Sequence, residues 1–187
     1  MSHKKHLIVL SSPSGGGKTT LAKHLMKIRP ELKFSISATT RKKRANEIEG
    51  KDYYFLSKDE FAEKIKNNEL VEYEEIFGNY YGTMRSEVER NLHHNNILIF
   101  DVDVKGALNL KELYPEESLI IFVSPPDIET LRKRLTNRKT ESNEEITIRL
   151  KRAEMEMKLS EDFDEIIIND KLENAFKDIE KIAEKYL

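Results

Sequence analysis

The chain has 187 residues, which at about 150 residues per domain fits one compact unit with room for an inserted lobe. Hydrophobic residues make up 38%, enough for a core and against wholesale disorder. The 32 basic and 34 acidic residues sum to −2, so no global field marks a nucleic-acid binder. Cysteine is absent, which excludes disulfides, thiolate metal sites and a cysteine nucleophile.

The first residues, Met1-Ser2-His3-Lys4-Lys5, run straight into the apolar stretch Leu7-Ile8-Val9-Leu10. That stretch is too short for a signal peptide, and nothing later approaches a membrane span. A soluble cytoplasmic protein is expected. The run at 7–10 reads as a first strand, and Lys18 to Ile28 as a helix stopped before Pro30. From about Phe34 to Tyr81 the composition shifts toward Tyr, Gly and mixed charge, with a short helix predicted from Lys58 to Asn67. Its runs Tyr53-Tyr54-Phe55-Leu56 and Leu70-Val71-Glu72-Tyr73 suggest a small mixed lobe inserted into the main body.

Further strands are expected at Ile97–Phe100, Leu119–Val123 and Ile166–Ile168, each β-branched and nearly unbroken, as strands covered on both faces read. Helical spacing marks Asp127 to Asn137 (Ile128, Leu131 and Leu135 on one stripe), Asn143 to Ser160 and Leu172 to Tyr186. Alternating strands and helices predict an α/β fold with a mainly parallel sheet.

The sharpest local signal is Ser11-Ser12-Pro13-Ser14-Gly15-Gly16-Gly17-Lys18-Thr19-Thr20, between the first strand and first helix. Against G-x-x-x-x-G-K-[ST] it fails at one position, where Ser12 replaces the first glycine. Consecutive glycines let backbone N–H groups face an anion, and the following helix adds its dipole. Lys18 then reaches the β- and γ-phosphates, and the Thr19 hydroxyl can ligate Mg²⁺. A flexible turn before a helix is the blander alternative, and the Lys-Thr pair and strand–loop–helix context argue against it.

Asp101 and Asp103 follow the 97–100 strand, where a carboxylate acting on Mg²⁺ through water is expected. Asp103-Val104-Lys105-Gly106 also matches D-x-x-G, yet no N-K-x-D guanine-reading element follows. Basic residues cluster at Arg41-Lys42-Lys43-Arg44 and at Arg132-Lys133-Arg134 with Arg138 and Arg149. Two such clusters flanking a phosphate loop suit phosphoryl transfer between two nucleotides, whose transition state spreads charge over loose oxygens. Taken singly, each cluster also reads as a solvated face, and residues 41–44 as a nucleic-acid contact.

Ser35-Ile36-Ser37-Ala38-Thr39-Thr40-Arg41, with Arg44, Glu47, Gly50 and Asp52-Tyr53-Tyr54-Phe55, resembles the acceptor lobe of guanylate kinases. Glu72, Phe77-Gly78-Asn79-Tyr80-Tyr81-Gly82-Thr83, Asp101-Val102-Asp103-Val104-Lys105-Gly106 and Ile168-Asn169-Asp170 extend the resemblance along the chain, in order. It implies a P-loop NTPase-type three-layer core (1–33, 84–125 and 151–187), a mixed α+β GMP-binding lobe (34–83) and a helical lid (126–150). The implied reaction is transfer of the ATP γ-phosphate to GMP with Mg²⁺ in purine metabolism. The implied partners are ATP and GMP, without nucleic acid or membrane, on a monomer or weak homo-oligomer.

The resemblance also assigns residues. Arg41, Arg44, Tyr53 and Tyr81 would hold the GMP phosphate, while Ser37, Glu72, Thr83 and Asp103 would read the guanine. One carboxylate can accept from guanine N1–H and N2–H₂ together, whereas adenine presents an acceptor at N1. Ser12 to Thr20 would hold ATP, with Arg134, Arg138 and Arg149 clamping the phosphates and the transferring group, Arg149 also on the GMP side. Asn169 matches a position near the adenine. Lys18, Arg41, Arg134, Arg138 and Arg149 are the catalytic set, and Thr19 and Asp101 the Mg²⁺ set.

Departures from the family pattern are Ser12, Lys43, Thr83, Lys105 and Lys139. Read singly, Glu72 beside Glu74 and Glu75 is a surface carboxylate, and Tyr53 and Tyr81 are packing aromatics. The five histidines show neither metal-ligand nor catalytic spacing and are expected at the surface or boundary. A kinase for another nucleoside monophosphate and a non-catalytic protein-binding module of the same fold are the competing functions.

Overall fold

The computed structural model describes residues 4–76, 78–137 and 142–187. In chain order the first elements are β1 (Leu7–Ser11), α1 (Lys18–Ile28), β2 (Leu32–Phe34), β3 (Ala38–Thr39), β4 (Tyr54–Phe55) and α2 (Lys58–Lys66). Then come β5 (Leu70–Ile76), β6 (Asn79–Met84), α3 (Arg85–His93), β7 (Ile97–Asp101) and α4 (Val104–Leu113). The chain continues with β8 (Ser118–Ser124), α5 (Ile128–Asn137), α6 (Asn143–Lys158), β9 (Glu165–Ile168) and α7 (Leu172–Tyr186).

Five strands form the main sheet in the order β2-β7-β1-β8-β9, and every pairing is parallel. β1 is buried throughout, because its alternating side chains enter two cores. Ile8 and Leu10 join Ile99, Ile121 and Ile167 beneath α1 and α7, through Leu21, Leu25, Ala175 and Ile179. Leu7 and Val9 join Leu98, Phe100 and Phe122 against α3 and α4, through Val88, Ala107 and Leu110. Helices on both faces make the three-layer core that the resemblance implies, around the parallel sheet that the strand–helix alternation predicts. Each large side chain fully buried there contributes about 1.5–3 kcal/mol. His24 fastens the first face at the rim, where it stacks on Phe176 at 3.8 Å and meets Glu180 at 2.6 Å.

The second sheet has the order β4-β3-β6-β5, with β3 and β4 parallel and the other pairs antiparallel. Phe61 of α2 is fully buried over it and stacks on Tyr80 at 5.4 Å. This is the mixed lobe expected between 34 and 81. A Ser57–Glu60 capping box opens α2 and a Ser142–Glu145 box opens α6, each satisfying two free backbone N–H groups.

Some expectations need correction. β9 is an edge strand: Ile167 is buried, but Ile166 and Ile168 are 46% and 51% exposed, so it is not covered on both faces. The elements α3, α4, β2, β3 and β6 are additional to those predicted. Helix α6 spans Asn143–Lys158, close to the helix expected from Asn143 to Ser160.

Candidate active site

The parallel strands order the sheet outward from β1 to both sides, so their carboxyl ends leave a crevice where β1 meets its neighbours. The glycine loop sits there. Gly15 and Gly17 have φ of +92° and +103°, which side-chain-bearing residues rarely adopt. Gly17 caps α1 without a side-chain bond, and no acidic residue occupies the first turn, so the helix N-terminus faces the loop uncompensated. Ser12 keeps a negative φ and is buried under Gly16. A Cβ on Gly16 would lie 2.8 Å from Ser12 Cβ and 3.0 Å from the Val123 carbonyl. Gly16→Ala is therefore expected to destabilise the fold by about 1–3 kcal/mol through overpacking. Ser12→Gly should return part of that loss, as a double-mutant cycle on denaturant stability would show. Equal loss in both backgrounds would separate the two positions.

Lys18 and Thr19 open α1, facing the end of β7. Lys18 Nζ lies 3.3 Å from Asp101 Oδ1, and Thr19 Oγ1 donates to Asp101 Oδ2 at 2.5 Å. Thr20 closes the loop, its N–H donating to the Gly17 carbonyl at 3.1 Å. A hydroxyl and one carboxylate are hard oxygen donors, which fits Mg²⁺ shared with phosphates and water rather than a full protein cage. Among the described residues no group of three or more His, Cys, Asp or Glu could hold a metal.

Across the crevice, Glu72 of β5 is 7% exposed and accepts from Thr83 Oγ1 of β6 at 2.5 Å. Burial, reinforced by the nearby Asp103 charge, pushes its carboxyl up to about 7. Asp103 caps α4, its Oδ1 accepting from Gly106 N–H at 2.8 Å. A Cβ on Gly106 would sit 3.1 Å from Asp103 Oδ1 and 3.2 Å from Glu72 Oε2, so glycine leaves both carboxylates room. Glu72 is thus no surface residue, and Thr83 and Asp103 flank it from two other elements.

At the other end of the lobe the Arg41 guanidinium lies over the Tyr53 ring at 5.3 Å, and Tyr53 meets Tyr81 edge-on at 6.2 Å. Burial raises the Tyr53 phenol above its usual range, keeping it a donor. Glu47 grips Arg41 bidentately at 2.6 and 3.0 Å, and accepts from the Arg44 N–H at 2.8 Å. That role of Glu47 was not read from the sequence, although the residue belongs to the quoted motif. The turn from Arg41 to Glu47 is closed by side chains, with Lys43 exposed on it.

The helical pair contributes from the third side. Arg149 of α6 donates from Nη1 to Ser14 Oγ of the glycine loop at 2.6 Å. Arg134 of α5 instead donates to the Asn169 carbonyl at 2.6 Å. Asn169 is buried, and its Nδ2 donates to the Gly16 carbonyl at 2.8 Å, so its amide braces the loop from below. Arg138 and Lys139 lie outside the described residues.

One cleft of about 480 Å³ is lined by Lys18, Thr19 and Asp101 from the core and by Ser37, Tyr53, Glu72 and Tyr81 from the lobe. A glycine loop at the head of a parallel sheet, opposed by an acid-lined lobe, places the molecule among α/β proteins of the P-loop NTPase fold.

The guanylate kinase family model matches residues 4–186. The guanylate kinase of Chlorobium luteolum is 44% identical over 169 residues, 90% of this chain and 86% of that protein. That of Chlorobaculum tepidum is 48% identical over 166 residues, 89% of this chain and 85% of that protein. The crystal structure of guanylate kinase from Anaplasma phagocytophilum superposes with a TM-score of 0.72 at 34% identity, covering 99% of this chain and 87% of that one. The chain belongs to the guanylate kinase family.

Proposed function

We propose that the protein transfers the γ-phosphate of ATP to GMP, giving ADP and GDP, with the glycine loop as donor site and the lobe as acceptor site. The observation that carries this reading is a shared cleft lined by Lys18 and Thr19 on one wall and by Tyr53, Glu72 and Tyr81 on the other. Family membership along nearly the whole chain supports it.

In this reading residues Ser12 to Thr20 hold the ATP phosphates, with Lys18 as the point charge that follows the moving group. Arg41 and Arg44 grip the GMP phosphate with Tyr53 and Tyr81 as neutral donors, and that dianion competes with Glu47 for the Arg41 fork. Glu72 accepts from guanine N1–H and N2–H₂, while Ser37, Thr83 and Asp103 complete the edge. A GMP phosphate oxygen then attacks the γ-phosphorus, and the bond to the β,γ-bridging oxygen breaks as ADP leaves. Arg149 is aimed at the loop from α6, with Arg134 and Arg138 completing the clamp as the lobe (34–83) and lid (126–150) close on the core. Closure excludes water, so the phosphoryl group passes to GMP. Mg²⁺ entering with ATP would be held by Thr19 and, through water, Asp101, and would neutralise charge on the phosphate oxygens. We place the reaction in cytoplasmic purine nucleotide recycling, by a monomer or weak homo-oligomer acting on ATP and GMP without nucleic acid or membrane. No helix among the described residues is long and apolar enough to cross a membrane.

Product analysis tests the reading. Mg-ATP and GMP should give ADP and GDP in equal amounts, and chelating Mg²⁺ should stop both. Phosphate release without GDP would contradict it.

A further inference from the structure

Helix α6 bears a second arginine one turn beyond Arg149, on the same side of the helix. Arg152 gathers three carboxylates from three elements: Glu74 of β5 at 2.6 Å, Asp103 at the cap of α4 at 3.3 Å, and Glu156 of α6 itself at 2.7 Å. Glu74 and Asp103 line the cleft beside Glu72. Glu72 and Glu74 alternate along β5, so they point to one face, and with Asp103 they bring like charges together. Gly106 N–H holds Oδ1 of Asp103, and Arg152 holds Oδ2, so both oxygens of that carboxylate are fixed.

We propose that Arg152 is a positioning residue for selection of the acceptor base, orienting Asp103 and Glu74 around Glu72 from the helix that brings Arg149 to the donor loop. The proposal rests on the guanine assignment above and adds to it a residue on which the sequence carries no signal. Without the guanidinium, Asp103 Oδ2 and Glu74 lose their shared partner and repel each other and Glu72. The acid edge that reads guanine then loosens. The same bridge spans core, lobe and the helix of Arg149, so reading the base and aiming Arg149 become linked events.

The test is steady-state kinetics with GMP and with IMP, which lacks the N2 amino group, on Arg152→Ala and Arg152→Lys. The Ala variant should raise KM for GMP about tenfold, the effect of losing hydrogen bonds to charged groups. KM for ATP should stay within about twofold, and the GMP-to-IMP ratio of kcat/KM should fall about tenfold. Lys restores a cation but not the fork, and should recover KM for GMP to within about threefold of the parent. Arg152 is more than half exposed, so the variants should fold, and a melting curve confirms it. Equal losses with GMP and IMP would reduce Arg152 to a structural tie and overturn the proposal, as would an unchanged KM for GMP. If the parent itself does not prefer GMP to IMP, the guanine assignment fails instead.

Discussion

Replacing Lys18 with Ala should leave a folded protein that binds GMP normally and forms GDP about 10³-fold more slowly, the scale of removing one preorganised charge from a transition state. Lys18 stands at the first turn of α1, where backbone N–H groups and the helix dipole already favour phosphate. What the loop cannot supply is a mobile cation. That cation lies 3.3 Å from Asp101, and in the proposed reaction the ATP phosphates would draw it away. Lys18→Arg should not rescue, because the planar fork does not fit a cradle built for a compact ammonium. Single-turnover GDP formation measures the chemical step, and a loss below tenfold in Lys18→Ala would remove Lys18 from the catalytic set.

Glu72→Gln should cost about 10²- to 10⁴-fold in kcat/KM for GMP, since hydrogen bonds to a charged group at two guanine donors are lost. Use of AMP should change less than about tenfold, because adenine offers the carboxylate no N1–H. The pH dependence follows from burial. The folded protein holds the Glu72 proton up to about pH 7, against 4.5 for an unperturbed carboxyl. In the proposed guanine assignment the ionised form is the acceptor, so KM for GMP should rise about tenfold per unit as pH falls below about 7. In Glu72→Gln that inflection should vanish, leaving one near pH 6 from the phosphate monoester itself.

Stability moves the opposite way. Because the folded-state value lies above the unfolded one, the contribution of Glu72 is complete below pH 4.5 and is lost as pH rises through about 7. Gln keeps the Thr83 bond through its amide oxygen and carries no charge to bury. The free variant should therefore be more stable than the parent above pH 7, by up to about 3 kcal/mol. Denaturant melts at pH 5 and pH 8 check this, and a variant less stable at pH 8 would contradict the buried-charge account of Glu72.

The elements that were legible before the structure are those that local chemistry dictates. α1 and α7 start and stop where their apolar stripes and breakers place them, and β1, β7 and β8 are apolar runs buried in the sheet. Helix α3 was missed because Val88 and Leu92 are almost its only apolar residues, and α4 because Gly106 interrupts its pattern. Gly106 earns its place by making room for two carboxylates, a reason visible only in three dimensions. Ile166 and Ile168 misled because an apolar run carries no mark of whether its strand is central or at an edge. In the site, the glycine loop was readable as a motif, whereas Glu72, Thr83 and Asp103, which the structure brings together, were grouped only by the family resemblance. The partners of charged side chains were not readable: Glu47 on Arg41, Asn169 beneath Gly16 and Arg152 across three elements are long-range or geometric matches with no periodicity.

The measurement that bears most directly on the whole reading is ADP production from Mg-ATP with GMP, AMP, UMP or dTMP as acceptor, each supplied alone. Turnover with GMP at least about a hundredfold above each of the others is expected from an acid edge that pairs N1–H and N2–H₂. Comparable use of AMP or UMP would contradict guanine reading by Glu72, and no turnover with any acceptor from folded protein would contradict phosphoryl transfer itself.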